Sequence, residues 1–292
     1  MIQYLYLGRM DYSAALALQQ ELVELRHQGR IDNTLLLLEH PPVLTLGRNG
    51  KRGNILASDE MLERKGVQVH EINRGGDVTY HGPGQLIGYP IFDLRSLTND
   101  SGGRLGPVDF VRRVEEVLIR LCAGYEVLTG RIPGRTGVWT IAWRGLLDGQ
   151  HQTVERKIGA IGVHVSRGIT SHGFALNLTT DLRDFEWIVP CGIADREVTS
   201  LELEIPNAEM LPTLPQMADA AARQFGIVFK QQVLAIEDLG TLRAKAPNLP
   251  EAEQIGVPMR VPEEVRRLMN PSLRQGPGSP SHSPDPSRSE LG

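Results

Sequence analysis

Apolar residues recur along the chain with two periods. A period of two marks half-buried strands, and recurrence every third or fourth position marks amphipathic helices. Ile2 to Leu7 reads as a short strand. Asp11 can cap a helix running to about Gln28, with Ala15, Leu18, Leu22 and Leu25 as its apolar stripe and Gly29 as its stop. Residues 33–39 are continuously apolar at their centre, as in a strand buried on both faces. His40-Pro-Pro breaks this run, and residues 43–46 form another strand. Ser58 can cap a short helix to Lys65, with Met61 and Leu62 inward. Strand-like runs at 67–72 and 86–91 follow. Pro107 opens a helix in which Phe110, Val114, Val117, Leu118 and Leu121 repeat at helical spacing to about Cys122. Residues 125–128 and 137–143 read as strands, and 144–152 as a polar hairpin loop. Residues 181–189 are mixed helix or loop. Pro206 and Asn207 open a helix to about Phe225, which Gly226 ends before a last strand at 227–229. The pattern weakens from Gln231, and the Pro/Ser/Gly-rich stretch 275–292 is expected to be disordered. The expected organisation is a catalytic domain at 1–230, an extension at 231–274 and a tail at 275–292.

Two stretches carry more chemistry than a strand-and-helix scaffold needs. The first is Arg74-Gly-Gly-Asp-Val-Thr-Tyr-His-Gly-Pro-Gly-Gln-Leu86, with four glycines and a proline in thirteen residues. Glycines there let backbone approach a ligand, between side chains that donate, accept or titrate. Asp77, and no following helix start, argue against a phosphate cradle. The second is the run from Lys157 to Leu178, read as a hairpin that turns at Arg167-Gly168. In its second arm Phe174, Leu176 and Leu178 share one face, while Ser171, Gly173 and Ala175 share the other. With Gly159, Ala160 and Gly162 on the first arm, the small residues leave room for a slender ligand against backbone.

Composition narrows the field. The 292 residues are 40% hydrophobic and 23% charged, with a net charge of −4 and a pI near 6.1. No basic footprint points to nucleic acid. No apolar run approaches the roughly 20 residues of a membrane span, and the N-terminus lacks a signal-peptide plan. Two cysteines, Cys122 and Cys191, fit a reducing, cytoplasmic setting. There is no zinc spacing, Walker loop or dinucleotide fingerprint, so neither metal nor cofactor is expected. Arg48, Lys51 and Arg52 are read as a solvated turn.

Cys122 ends an amphipathic helix and reads as core. Cys191 stands between Pro190 and Gly192, on a sharp turn where a neighbouring N–H could face an oxyanion. Lys157, His81, His164 and His172 are the groups that could lower its thiol pKa, and spacing does not choose among them. Together, Arg74-Gly-Gly-Asp-Val-Thr-Tyr-His-Gly-Pro-Gly-Gln85, Gly137-Val-Trp139, Lys157-Ile-Gly-Ala-Ile-Gly-Val163, His172-Gly-Phe-Ala-Leu-Asn177 and Pro190-Cys-Gly192 resemble, in order and spacing, the motifs of the lipoyl(octanoyl) transferases. The resemblance runs from near residue 2 to about 230. The longer 144–152 loop and the residues past 231 lie outside it.

The resemblance implies an α/β fold, with a mixed central β-sheet flanked by helices, like the catalytic domain of biotin protein ligases and lipoate ligases. The strand and helix alternation agrees. It implies an acyltransferase without cofactor, taking octanoyl from octanoyl-acyl carrier protein. Acceptors would be lipoyl domains of 2-oxoacid dehydrogenase complexes and the glycine cleavage H protein. Cys191 would carry the acyl group as a thioester. Lys157 would lie near its sulfur, either as a cation that lowers the thiol pKa or as an amine that takes a proton. Arg74, Gly75, Gly76, Asp77, Val78, Thr79, Tyr80 and His81 would form one wall of the acyl site. Ala160, Ile161, Gly162, Gly173, Phe174 and Ala175 would form the other. Three other readings compete: an ATP-dependent lipoate or biotin ligase on the same fold, a Cys/His hydrolase, and a non-catalytic acyl binder.

Overall fold

The computed structural model describes residues 1–145, 151–189 and 197–243. In chain order its elements are β1 (Ile2–Arg9), α1 (Tyr12–His27), β2 (Asn33–Glu39), β3 (Val43–Leu46), α2 (Asp59–Arg64), β4 (Gln68–Glu71), β5 (Val78–His81), β6 (Gln85–Ile91), α3 (Pro107–Ala123), β7 (Thr129–Ile132), β8 (Arg135–Gly145), β9 (His151–Ser166), β10 (Ile169–Asn177), α4 (Leu201–Glu204), α5 (Leu214–Phe229), β11 (Val233–Ala235) and α6 (Leu239–Arg243).

The continuous apolar run of β2 has its explanation in two separate cores. Leu35 and Leu37 point toward α3 and α5, while Leu36 and Leu38 point toward α1. An alternating strand would leave one of these helical layers without a partner. β2 accordingly lies inside an eight-stranded mixed sheet of order β11-β1-β2-β6-β10-β9-β8-β7. On the α3/α5 side the ring of Phe92 meets Phe110 and Phe225 at 5.9 Å and Phe229 at 5.4 Å, all edge-to-face. A second sheet, β4-β3-β5, packs against Leu62 of α2 and Phe185. The architecture is the expected mixed α/β one. Among the described residues no helix is long and apolar enough to cross a membrane.

Caps fix the helix starts. Asp11 accepts from the N–H groups of Ser13 and Ala14, and Ser58 from that of Met61. The β9–β10 hairpin turns at Arg167 and Gly168, both at positive φ.

Several boundaries differ from the sequence reading. The glycine-rich stretch 74–86 contains a strand that the periodicity did not predict, Val78–His81, which pairs with β3. Residues 125–128 are a turn closing α3, with Glu126 at φ 62, and the strand begins at Thr129. α5 starts at Leu214, where Thr213 and Gln216 form a capping box, and Asn207 caps only a short 3-10 turn. α5 also passes through Gly226, so 227–229 is helix and Lys230 is the left-handed cap. Gly226 is needed for packing: a Cβ there would lie 2.5 Å from Val233 of β11. Residues 182–187 form 3-10 turns capped by Asp181. Past residue 230, β11 pairs with β1 and Leu242 of α6 joins the core beside α1. The paired β8 and β9 extend into the expected polar excursion as far as Gly145 and His151. Residues 146–150, Pro190-Cys191-Gly192 and the stretch from 244 onward lie outside the described residues.

Candidate active site

Arg74 is where the site is built. Its guanidinium is almost fully buried, and such a charge requires fixed acceptors. Thr45 of β3 supplies them. Nε donates to its Oγ1 at 3.2 Å, and Nη2 donates to Oγ1 at 2.9 Å and to the carbonyl at 2.7 Å. Nη1 donates to the Gly75 carbonyl at 3.0 Å. Backbone bonds from Gly47, Arg48 and Asn49 brace the same turn, and the Gly75 N–H donates to Val163 of β9 at 3.2 Å. The Asp77 carboxylate is turned away into this bracing, accepting from Asn54 Nδ2 at 2.6 Å and from the N–H groups of Lys51 and Val78.

The small residues of the hairpin admit this turn. A Cβ on Gly162 would lie 2.8 Å from the Gly75 carbonyl and 3.1 Å from Arg74 Cδ. A Cβ on Gly173 would overlap the Gly88 carbonyl of β6. Between them is a cavity of about 50 Å3. From the glycine-rich stretch it is lined by Arg74, Gly75, Gly76, Asp77, Val78, Thr79 and His81, and from the hairpin by Lys157, Ala160, Ile161, Gly162, Gly173, Phe174 and Ala175.

Two small corrections follow from the period of two. Tyr80 points to the opposite side of β5, where it packs on Phe185 and Trp187 and donates to Asp184 at 2.6 Å. Gly159 faces Leu118 of α3 and leaves no room in the cavity. Cys191 lies outside the described residues.

The cavity also has members that the sequence reading did not place there: Tyr12 at the start of α1, Tyr89 of β6, and His172, considered only as a partner of the thiol. Tyr12 and Tyr89 reach the site through tertiary packing. The available signal was a tyrosine in a fully buried strand, whose hydroxyl must find a partner. That partner is His40, whose Nε2 lies 2.8 Å from the Tyr89 hydroxyl. Burial pushes the Tyr12 hydroxyl up to about 12 and Tyr89 well above its usual value.

Three histidines beside the cavity are held neutral. Burial lowers His40 to about 4. Burial, then His40 and Arg74, lowers His81 to about 3. Burial, then Arg74 and His164, lowers His172 to about 4. His81 Nδ1 donates to Gln85 Oε1 at 2.8 Å, and His172 Nε2 to Asn73 Oδ1 at 2.8 Å. His172 also holds a positive φ of 54°, with its N–H bonded to Gln19 of α1 at 2.8 Å.

Lys157 stands at the edge of this cavity, half-buried, with Nζ 5.3 Å from the centroid of the buried Trp139 ring. Its backbone ties down the segment that follows residue 196: Lys157 N–H donates to Glu197 O, and Thr199 N–H to Lys157 O, both at 2.9 Å. Thr199 O also accepts from Asn177, which accepts from Gln85, so His81 and Lys157 share one hydrogen-bonded chain across the sheet. On the other side of the undescribed segment, Val189 N–H donates to Asn54 O at 2.8 Å.

Comparison with known proteins places this chain in a family. The model of the lipoyl protein ligase A/B catalytic domain matches residues 11–226. The chain is 61% identical over 253 residues to the octanoyltransferase of Acidobacterium capsulatum, covering 86% of this chain and 99% of the relative. It is 50% identical to that of Koribacter versatilis, covering 94% and 100%. The solved bi-partite lipoate protein ligase of Thermoplasma acidophilum superposes with a TM-score of 0.54 at 15% identity, over 83% of this chain and 91% of that one, a likeness of fold. The chain belongs to the octanoyltransferase family, acyltransferases built on the lipoyl protein ligase A/B catalytic domain.

Proposed function

We propose that this protein moves octanoyl from octanoyl-acyl carrier protein to the target lysine of lipoyl domains, through a thioester on Cys191. The acceptors are the lipoyl domains of 2-oxoacid dehydrogenase complexes and the glycine cleavage H protein. The observation that carries this reading is Lys157 at the edge of a narrow cavity walled by glycine backbone. The described ends of the Cys191-bearing segment support it, since one is bonded to Asn54 beside Asp77 and the other to Lys157.

In the first half-reaction Cys191 Sγ attacks the donor carbonyl. The new C–S bond forms as the bond to the carrier's sulfur breaks, and Lys157 passes the proton from Cys191 to that leaving sulfur. In the second, the acceptor lysine amine attacks the acyl-enzyme. The C–N bond forms, Cys191 leaves, and Lys157 returns the amine's proton to it. No redox change occurs, and an amide replaces a thioester, so the step is downhill without ATP. The alkyl chain lies along Ala160–Gly162 and Gly173–Ala175, where burial contributes roughly 0.8 kcal/mol per methylene.

Intact-mass measurement after mixing with octanoyl-carrier protein tests this. An octanoyl adduct is expected, discharged by adding a lipoyl domain and absent in Cys191→Ser. Full transfer by Cys191→Ser, or transfer from free octanoate only with ATP, would overturn the thioester route.

A further inference from the structure

Glu115 is a fully buried carboxylate for which the reaction above has no use. It sits on α3, on the side facing β8, and its Oε2 accepts from Arg112 Nη1 at 2.7 Å and Arg131 Nε at 3.0 Å. Both arginines reach it from the surface, with side chains 50% and 35% exposed. The other oxygen, Oε1, is directed inward and accepts the backbone N–H of Gly137 at 3.1 Å.

Gly137 has an unusual conformation. Its φ is +126°, a region that residues with a Cβ rarely adopt. A Cβ there would lie 2.7 Å from the Gly159 carbonyl, 2.8 Å from Lys157 Cε and 3.5 Å from Lys157 Nζ. The bare Cα of Gly137 is therefore the surface on which the Lys157 side chain rests. The β8–β9 register also shifts at this point, from Val138 opposite Gly159 to Trp139 opposite Lys157, leaving Ile158 as the extra residue. Such a bulge re-aims the side chain beside it.

We propose that Glu115 is a positioning residue for Lys157: by holding the Gly137 N–H it keeps that backbone in its positive-φ form, and so fixes the seat that points the Lys157 amine at the cavity. The proposal rests on the reading that Lys157 handles the protons of acyl transfer. The paired arginines hold the carboxylate from behind, so that its inner oxygen has one orientation.

Three variants and two readouts test it. Glu115→Leu removes the acceptor. Glu115→Gln keeps an oxygen for Gly137 but loses the charge. Gly137→Ala pushes on Lys157 directly and leaves Glu115 in place. Kinetics of octanoyl transfer give kcat and KM, and the NMR signal of 13C-labelled Lys157 Cε, identified by its loss in Lys157→Arg, reports the lysine without any turnover. Misplacing a reacting group by about 1 Å costs up to roughly 100-fold. Glu115→Leu and Gly137→Ala should therefore lower kcat roughly 10- to 100-fold, leave KM for the donor nearly unchanged and shift the Lys157 signal. Glu115→Gln should stay close to wild type in all three. If Glu115→Leu fails to fold, Gly137→Ala and Glu115→Gln decide. Glu115→Gln as impaired as Glu115→Leu would mean the charge pairs matter and the hydrogen bond does not, overturning the proposal. So would an unmoved Lys157 signal in Gly137→Ala. A wild-type protein that transfers no octanoyl while the variants still shift Lys157 would sink the functional reading and leave the positioning role standing.

Discussion

Thr45→Val is the sharpest probe of how the site wall is held. Thr45 is fully buried in β3, and its hydroxyl accepts two bonds from the Arg74 guanidinium, at 3.2 and 2.9 Å. Valine keeps the shape and the carbonyl bond at 2.7 Å but removes that oxygen. A hydrogen bond to a charged group contributes about 1.5–3 kcal/mol, and the longer of the two adds little, so a loss of about 2 kcal/mol is expected. With a urea slope of about 2–3 kcal/mol/M, the unfolding midpoint should fall by roughly 0.7–1 M. Thr45→Ser is the control: it keeps the hydroxyl and loses one methyl, at about 1 kcal/mol. Urea unfolding followed by tryptophan fluorescence measures both. If Thr45→Val is within about 0.5 kcal/mol of wild type, or is more stable than Thr45→Ser, the Arg74 turn is held by packing and the hydrogen-bond account is wrong. Because the same turn forms one wall of the cavity, Thr45→Val should also raise KM for the acyl donor more than it lowers kcat.

Acid should weaken the fold through the neutral histidines. His40, His81 and His172 have folded pKa values depressed to about 4, 3 and 4 from 6.5. Below pH 6.5 the unfolded chain binds protons that the folded one refuses, so stability is full above that value and is lost as pH falls toward 4, by roughly 1 kcal/mol per histidine per pH unit. Urea midpoints that do not change between about pH 7 and pH 5 would contradict the burial of these rings. Gly88→Ala should cost about 1–3 kcal/mol, because a Cβ there overlaps the Phe174 ring, which is stacked on Phe225 at 5.9 Å; thermal unfolding at the wild-type temperature would refute that close approach.

Much of the frame was legible because pattern and burial agree locally. The apolar run of β2, the stripe of α1 and the two-sided hairpin each follow from which neighbours a face must cover. The boundaries that were misread depend on contacts distant in sequence. Gly226 reads as a helix stop until β11 is seen pressed against it, and residues 125–128 read as a strand until the end of α3 claims them in its closing turn. At the site, the glycine-rich stretch with Arg74 and the small residues were readable from composition in context, and the family resemblance singled out Lys157. Tyr12 leaves no such signal, since the pattern of α1 is already explained by the core, while Tyr89 leaves only the need of a buried hydroxyl for a partner. Glu115 did leave a signal: it lies between Val114 and Leu118 on the buried side of α3, where an acid needs a reason.

The charges around the cavity favour one sign of chemistry. Among the described residues Asp77 is the only carboxylate in its lining, and its oxygens are engaged by Lys51, Asn54 and Val78 behind the wall. The histidines are neutral, and the Arg74 guanidinium adds a field strong enough to depress His81 and His172 further. An anion formed in this cavity meets a fixed positive charge and backbone dipoles in a partly dry site, where such interactions are strongest and need no reorganisation. A site for adding a proton to substrate would need an acid titrating near neutrality, and burial has moved these histidines away from that range. Under the proposed mechanism the protons are carried by Lys157, whose side chain rests on Gly137, so the orientation of that one side chain should govern the rate.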